Sequence, residues 1–508
     1  MSLIKTWLTD CVEGHTKQNC QPPKPADLPT RVLDLGHAGD SASSIRLFVP
    51  EVPTKAHYVA LSHCWGTGQV LTTTRHNVSE HERLIPHDSL PKTFREAVQV
   101  TRELGIRYLW IDSLCILQDS PDDWDAEASH MSEVFSNAFA TLFAAHASSG
   151  DEGLYAERSA LATRPCRTNL RFTSGKSVYL APATGRLAGA GGPLYRRAWV
   201  YQEEILSPRS IAFAADGVYW ACHSVTASES NPQSYFNFTH SRAAFQHLLP
   251  NAPAFSTASA QERQEKLWDA WYSVVAYYGE RLLTYPTDRL PALSALAKLL
   301  HARTHRTRYL AGLWEDDLAR GLLWICRSFS TRSPPQSTLD EYVAPSWSWA
   351  SVPDEFIGYA WMTSRTRLSL SLPWQSELTL LGVDYRLQGT NAFGRVSKAT
   401  LKLEGMVADV RFSEAEVREA VDPGEVADAG SWAWILAFDA HGVQSTRQTV
   451  EVLACVRVGY RPETLCLIIE PTETGERVSQ PEYRRIGVAR VHSQILEERA
   501  TVRQLCLI

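Results

Sequence analysis

The sequence has no run of about 18 apolar residues, the length a helix needs to cross a bilayer, so no membrane partner is expected. Its start, MSLIKTWLTDCVEGHTK, lacks the continuous apolar stretch of a signal peptide, so an export leader is not expected. Lysine and arginine form no block and the net charge is −6, which argues against a phosphate-tracking groove and a nucleic-acid partner. Ten cysteines across 508 residues are too sparse for a disulfide framework; the simplest compartment is a reducing one, cytoplasmic or nuclear. The phosphate-loop pattern G-x4-G-K-[ST] is missing, and no internal repeat or long low-complexity tract occurs.

What is present fits a globular enzyme or binding protein. The 44% hydrophobic and 21% charged composition supports a real core, and the length suggests two or three domains. Residues 1–50 read as an irregular N-terminal extension with a proline-rich turn at Gln21–Pro25. Tyr58–Leu61 reads as a short strand, followed by a polar loop from Ser62 to Gly68. In LPKTFREAVQVTRELGI, Phe94, Ala97, Val98, Thr101 and Leu104 recur at helical spacing, and Gly105 ends the helix. RYLWI (107–111) reads as a buried strand ending at Asp112. Ser120-Pro121-Asp122-Asp123 then reads as a helix cap, a first-turn proline and acids favoured by the helix dipole. ATLFAAHA (140–147) is a further strand. Strands alternating with helices predict an α/β domain over 51–225 with a parallel sheet, with Ser62 and Asp112 at its ligand-binding strand ends. A hairpin is expected around Asp216-Gly217, a helical segment over 226–327, a linker at Ser328–Thr338 and a β-rich domain over 339–508.

Residues 195–209, YRRAWVYQEEILSPR, carry adjacent carboxylates among arginines. If helical, Trp199, Gln202, Glu203 and Leu206 share a face, whereas Glu204 points about 100° away. Glu203 is then the candidate for chemistry and Glu204 the surface or salt-bridge residue. The bland alternative pairs Glu203 with Arg196, Arg197 or Arg209 to fix the helix. Ser62, Trp65, Asp112, Gln118, Trp199 and Gln202 are the candidate substrate-binding residues, although Asp112 and Gln118 are also explained by strand-end capping and turn chemistry. Cys64 or Cys115 with His63 as base would make a hydrolase, but neighbours in an extended segment face opposite ways. Cys11, His15 and Cys20 are three potential zinc ligands with no evident fourth, so no metal is expected. Trp347 and Trp349 in WSWAS alternate like a strand and read as packing residues or an aromatic wall.

Three blocks resemble the fungal heterokaryon-incompatibility (HET) domain family: YVALSHCWG (58–66), the stretch from Leu90 to Ala138, and RRAWVYQEEILSPRSIAF (196–213). Flanking stretches such as the Cys11–His15–Cys20 spacing, LTYPTDRLPALSALA, APSWSWASV and YRRIGVARV extend the resemblance over nearly the whole chain. Ala198 stands where the family usually has glycine. No nucleotide-triphosphatase, ankyrin or propeller module is fused on. The HET domain is in turn similar to TIR domains, which implies a TIR/flavodoxin-like core. Several TIR domains cleave NAD with a glutamate in Trp-x-x-x-Glu, the spacing of Trp199 and Glu203.

Three functions follow. The first is an allorecognition or cell-death effector acting by NAD cleavage, with NAD as substrate rather than cofactor. The second is a cofactor-free secondary-metabolism enzyme, a cyclase, isomerase or Diels–Alderase, with the scaffold as a small-molecule pocket. The third is a non-catalytic interaction module that forms a homo-oligomer or binds a partner protein.

Overall fold

The computed structural model describes residues 1–15, 20, 22–36, 45–68, 70–158, 166–171, 174–175, 177–180, 192–233, 259–304, 307–327, 342–352, 356–360, 374–411, 433–438, 449–458, 463–472 and 481–508. The expected linker at 328–338 lies outside them. The chain forms two compact units, Met1–Thr257 and Ala258–Ile508.

The first unit is built on an eight-stranded sheet. In chain order its strands are β1 (Val32–Asp34), β2 (Arg46–Phe48), β3 (Tyr58–Ser62), β4 (Tyr108–Ile111), β5 (Ala140–Phe143), β6 (Arg209–Phe213), β7 (Val218–Cys222) and β8 (Thr226–Ser228). They lie in the order β8-β7-β6-β5-β3-β4-β1-β2. The four central strands, β6-β5-β3-β4, are parallel, as the buried apolar runs of β3, β4 and β5 require. Both flanks are antiparallel, so the sheet is mixed rather than wholly parallel. The β6–β7 pair is the expected hairpin, with Phe213 opposite Val218. The N-terminal residues are not an irregular extension: β1 and β2 complete one flank, and α1 (Ser2–Thr9) buries Ile4, Trp7 and Leu8. The apolar pattern of β1 and β2 is too short to register as periodic, and pairing of β1 with β4 and of β2 with β1 supplies the order.

The helices follow local sequence closely. α2 (Lys92–Glu103) buries Phe94, Ala97, Val98 and Thr101, and Gly105 takes φ +76° just beyond it. α3 (Pro121–Asn137) starts with Ser120 accepting from the Asp123 amide and Pro121 in its first turn. Phe135 of α3 meets Trp110 of β4 edge to face, 5.7 Å between centroids. α4 (Ala198–Leu206) packs against α3, where Trp199 meets Trp124 edge to face at 5.9 Å.

Asp123 does more than favour the helix dipole. It accepts two bonds from the Arg31 guanidinium, at 2.7 and 2.6 Å, and one from the Leu117 amide. Arg31 also donates to the Cys115 carbonyl and sits 3.5 Å from buried Glu127. Burial raises Glu127, with Arg31 opposing it. Arg31→Ala would leave two carboxylates poorly compensated, and urea denaturation is expected to show a loss of about 3 kcal/mol.

The second unit carries α5 (Ala260–Gly279), α6 (Ser294–His301) and a β-rich remainder. Ser259 and Glu262 close a reciprocal capping box at the start of α5. The sheet strands are β9 (Trp374–Ser376), β10 (Leu378–Leu387), β11 (Val396–Arg411), β12 (Ala433–Phe438), β13 (Thr449–Val458), β14 (Glu463–Pro471), β15 (Glu482–His492) and β16 (Thr501–Leu507). β11 pairs with β13 and with β16, so β11-β13-β14-β15-β16 close a ring, a small barrel that removes most free edges. Trp347 and Trp349 do not form a strand; Trp349 opens a short 3-10 turn after Ser348 caps it. Both indoles are fully buried and serve as core packing.

On α5, burial pushes Asp269 up to about 6, with Asp317 acting the same way and Arg320 opposing. A carboxyl raised on folding binds its proton more tightly in the folded state. Its contribution to stability therefore falls as pH rises from about 4 to about 6, then levels off. Relative to the native protein, Asp269→Asn is expected to gain about 1–2 kcal/mol between pH 4 and pH 7, after allowance for its partial exposure. Urea titrations at both pH values measure this; an unchanged difference would refute the raised value.

Candidate functional site

After β3 the chain crosses to β4 on one side, then returns to β5 on the other. The carboxyl ends of β3 and β5 thus flank a switch point, where open α/β sheets bind ligands. Three loops meet there. Gly66, at φ +77°, lies so close to Ser149 that a Cβ would come within 2.6 Å of its Cβ. A Cβ on Gly192, before α4, would lie 2.1 Å from the Ala145 carbonyl oxygen. Arg197, at the start of α4, donates to the His63 carbonyl.

Asp112 ties the loops after β3 and β4 together. Its carboxylate accepts from the Trp65 indole at 2.9 Å and from the Ser113 amide at 2.7 Å, and His63 Nδ1 stands 3.6 Å away. Gln118 donates its side-chain amide to the Asp112 and Ile116 carbonyls, at 3.2 and 3.0 Å, and so fastens the same turn. Trp65, Asp112 and Gln118 are therefore brought together, each with a bond that holds the loop in place.

His63 is 3% exposed and packs edge to face on Phe94 at 4.9 Å. Burial lowers its pKa, Asp112 opposes that and Arg197 adds to it, so the imidazole is neutral at physiological pH. Cys64 points elsewhere, into an apolar cluster with Phe143, Ala145 and Leu194. Burial raises its thiol and Glu203 adds to this, while Arg197 opposes. Burial pushes Cys115 up to about 12. Neither cysteine carries the thiolate a hydrolase needs.

The Arg197 bond to the His63 carbonyl and the packing of Val200 in the Cys64 cluster set the start of α4 beside the loop that leaves β3. Glu203 is 8% exposed, and Trp199 is partly buried against Trp124. Glu204 is not a surface residue: it is 5% exposed, because every residue of α4 except Trp199 is buried. Face geometry separates an inner from an outer side only when one side meets water, and this helix is enclosed on both. Ser62 and Gln202 are fully buried, and neither the Ser62 hydroxyl nor the Gln202 amide has a hydrogen-bond partner among the described residues. Such groups cost about 1–3 kcal/mol each when unsatisfied. Sequence reasoning missed His63 as the link between Asp112 and Arg197, and it missed Arg197 as the bridge to β3. The arginine run before Trp199 was the available signal.

No curated protein and no solved structure matches this chain. The family match is narrower than the resemblance read from the sequence, which extended over nearly the whole chain. Residues 58–203, from the start of β3 to Glu203, match the model of the family described as Heterokaryon incompatibility protein (HET), about 30% of the chain, and over that segment the protein is similar to HET-domain proteins.

Proposed function

We propose that this protein is a HET-type effector whose switch-point site takes NAD as substrate and hydrolyses its nicotinamide–ribose bond. The observation that carries the reading is the buried carboxylate of Glu203, four residues after Trp199 on a helix whose first residues are tied to the loop after β3 by the Arg197–His63 hydrogen bond. A TIR-like ancestry of the parallel core fits the same placement. In the reaction the bond from ribose C1′ to the pyridinium nitrogen breaks, and its electron pair leaves with neutral nicotinamide. The ribose gains oxocarbenium character, which the Glu203 carboxylate stabilises. Water then adds to C1′ and releases a proton, giving ADP-ribose.

A non-catalytic interaction module is the second reading, favoured by the way Trp65, Asp112 and Gln118 spend bonds on holding loops. The test is NAD consumption by the purified, concentrated protein, alone and under crowding that promotes self-assembly, followed by chromatography. Stoichiometric nicotinamide and ADP-ribose support hydrolysis. Unchanged NAD with a folded protein under all these conditions rejects it in favour of the interaction module.

A further inference from the structure

The N-terminal segment brings Cys11, His15 and Cys20 against Cys222, at the end of β7. All four are buried, and their ligand atoms lie within 4.8 Å of one another. We propose that these four residues bind one zinc ion, which fastens the N-terminal segment to the β7–β8 hairpin at the flank of the sheet.

The spacing fits a tetrahedron. Zinc–sulfur bonds of about 2.3 Å and zinc–nitrogen bonds of about 2.0 Å imply ligand–ligand edges of about 3.5–3.8 Å. His15 Nδ1 lies 3.5 Å from Cys222 Sγ and 4.0 Å from Cys20 Sγ. Exposure is 1% for Cys11, 8% for His15, 2% for Cys20 and 0% for Cys222, so water does not complete the shell and the four protein ligands close it. Three sulfurs and one imidazole nitrogen in tetrahedral array select zinc over harder cations. Outer contacts are those that hold thiolates in place. The Val225 amide points at Cys222 Sγ at 3.4 Å, and Ser224 Oγ stands 3.2 Å from Cys20 Sγ.

A disulfide explains the cluster less well. Three cysteines leave one unpaired, and the buried imidazole aimed at the sulfurs would have no role. The sequence supplied three ligands within ten residues, and the hairpin turn Cys222–Val225, distant in sequence, supplies the fourth. The same region is already joined by packing: Trp7 lies against Trp220 at 6.3 Å, and its indole donates to the Pro232 carbonyl at 3.1 Å. Zinc adds a clasp to the packing of Ile4, Trp7 and Leu8 that already holds α1.

The full chain, produced with zinc present and purified without a metal-binding tag in reducing buffer, is expected to hold one zinc per molecule by atomic emission. Cobalt exchanged into it is expected to give thiolate charge-transfer bands and the visible bands of a tetrahedral site. Titration of native protein with an organomercurial should release the zinc as three thiols react, a readout that needs no variant to fold. Cys222→Ser is expected to lose zinc on gel filtration, and Cys166→Ser, at an exposed position, to keep it. A folded native chain that holds no zinc and takes no cobalt overturns the proposal. So does a disulfide between two of the three cysteines, or full zinc retention in Cys222→Ser.

Discussion

Glu203→Gln is expected to lower nicotinamide release by at least about 100-fold per folded molecule, while Glu204→Gln stays within a few-fold of the native rate. The two substitutions are matched controls. Both remove one charge from the same helix, and both sites are buried, at 8% and 5% exposure. Both will therefore cost stability, so rates must be compared at equal folded concentration. What separates them is direction. Glu203 shares its helix face with Trp199, the residue of the Trp-x-x-x-Glu spacing on which the proposed chemistry rests. The amide of Gln keeps the shape of the carboxylate and loses the charge that stabilises an oxocarbenium ion. Equal specific activity in both variants, with only the folded yield reduced, would make Glu203 a structural residue.

Gly312→Ala is expected to destabilise the second unit by about 3–5 kcal/mol, enough to unfold a protein of ordinary stability. Gly312 sits in the turn between the short paired strands Tyr309–Leu310 and Leu313–Trp314, with φ +94°. Its carbonyl accepts from two buried indoles, Trp271 at 2.9 Å and Trp349 at 3.0 Å. A Cβ at this position would lie 2.4 Å from Trp349 Nε1. Relief by movement of Trp349 would break its hydrogen bond and leave a buried N–H unpaired. The strain of a left-handed alanine adds to the clash. Urea denaturation of the full chain measures the loss. Gly382→Ala in the same unit is the comparison, because its Cβ would meet nothing nearer than Lys402 Cδ at 3.8 Å. A cost below about 1 kcal/mol at Gly312 would mean that the tryptophan pair yields more easily than its bonds imply.

Much of the architecture was legible in local pattern. The Phe94–Thr101 spacing, the Ser120-Pro121 start and the Asp216-Gly217 turn each encode an element through residues a few positions apart, and each element formed where that pattern placed it. The parallel run of β3, β4 and β5 was readable for the same reason: three apolar segments separated by helices leave few topologies.

Tertiary pairing decided the rest. The antiparallel flanks of the sheet, the barrel ring in which β11 serves two partners, and the short N-terminal strands all depend on which distant segment lies alongside, and no periodicity records that choice. Glu204 was read as a surface or salt-bridge residue, and the surface half of that reading fails because a helical wheel assumes one wet side and α4 has none. Asp123 was read as a dipole acid because its partner, Arg31, is distant in sequence. Cys222 escaped notice as a ligand for Cys11, His15 and Cys20 for the same reason. The sequence by itself determined which segments could be helix or strand, because backbone propensity and side-chain spacing act within a few residues. The tertiary structure alone decided which buried charge met which partner, because burial and pairing are properties of neighbours in space.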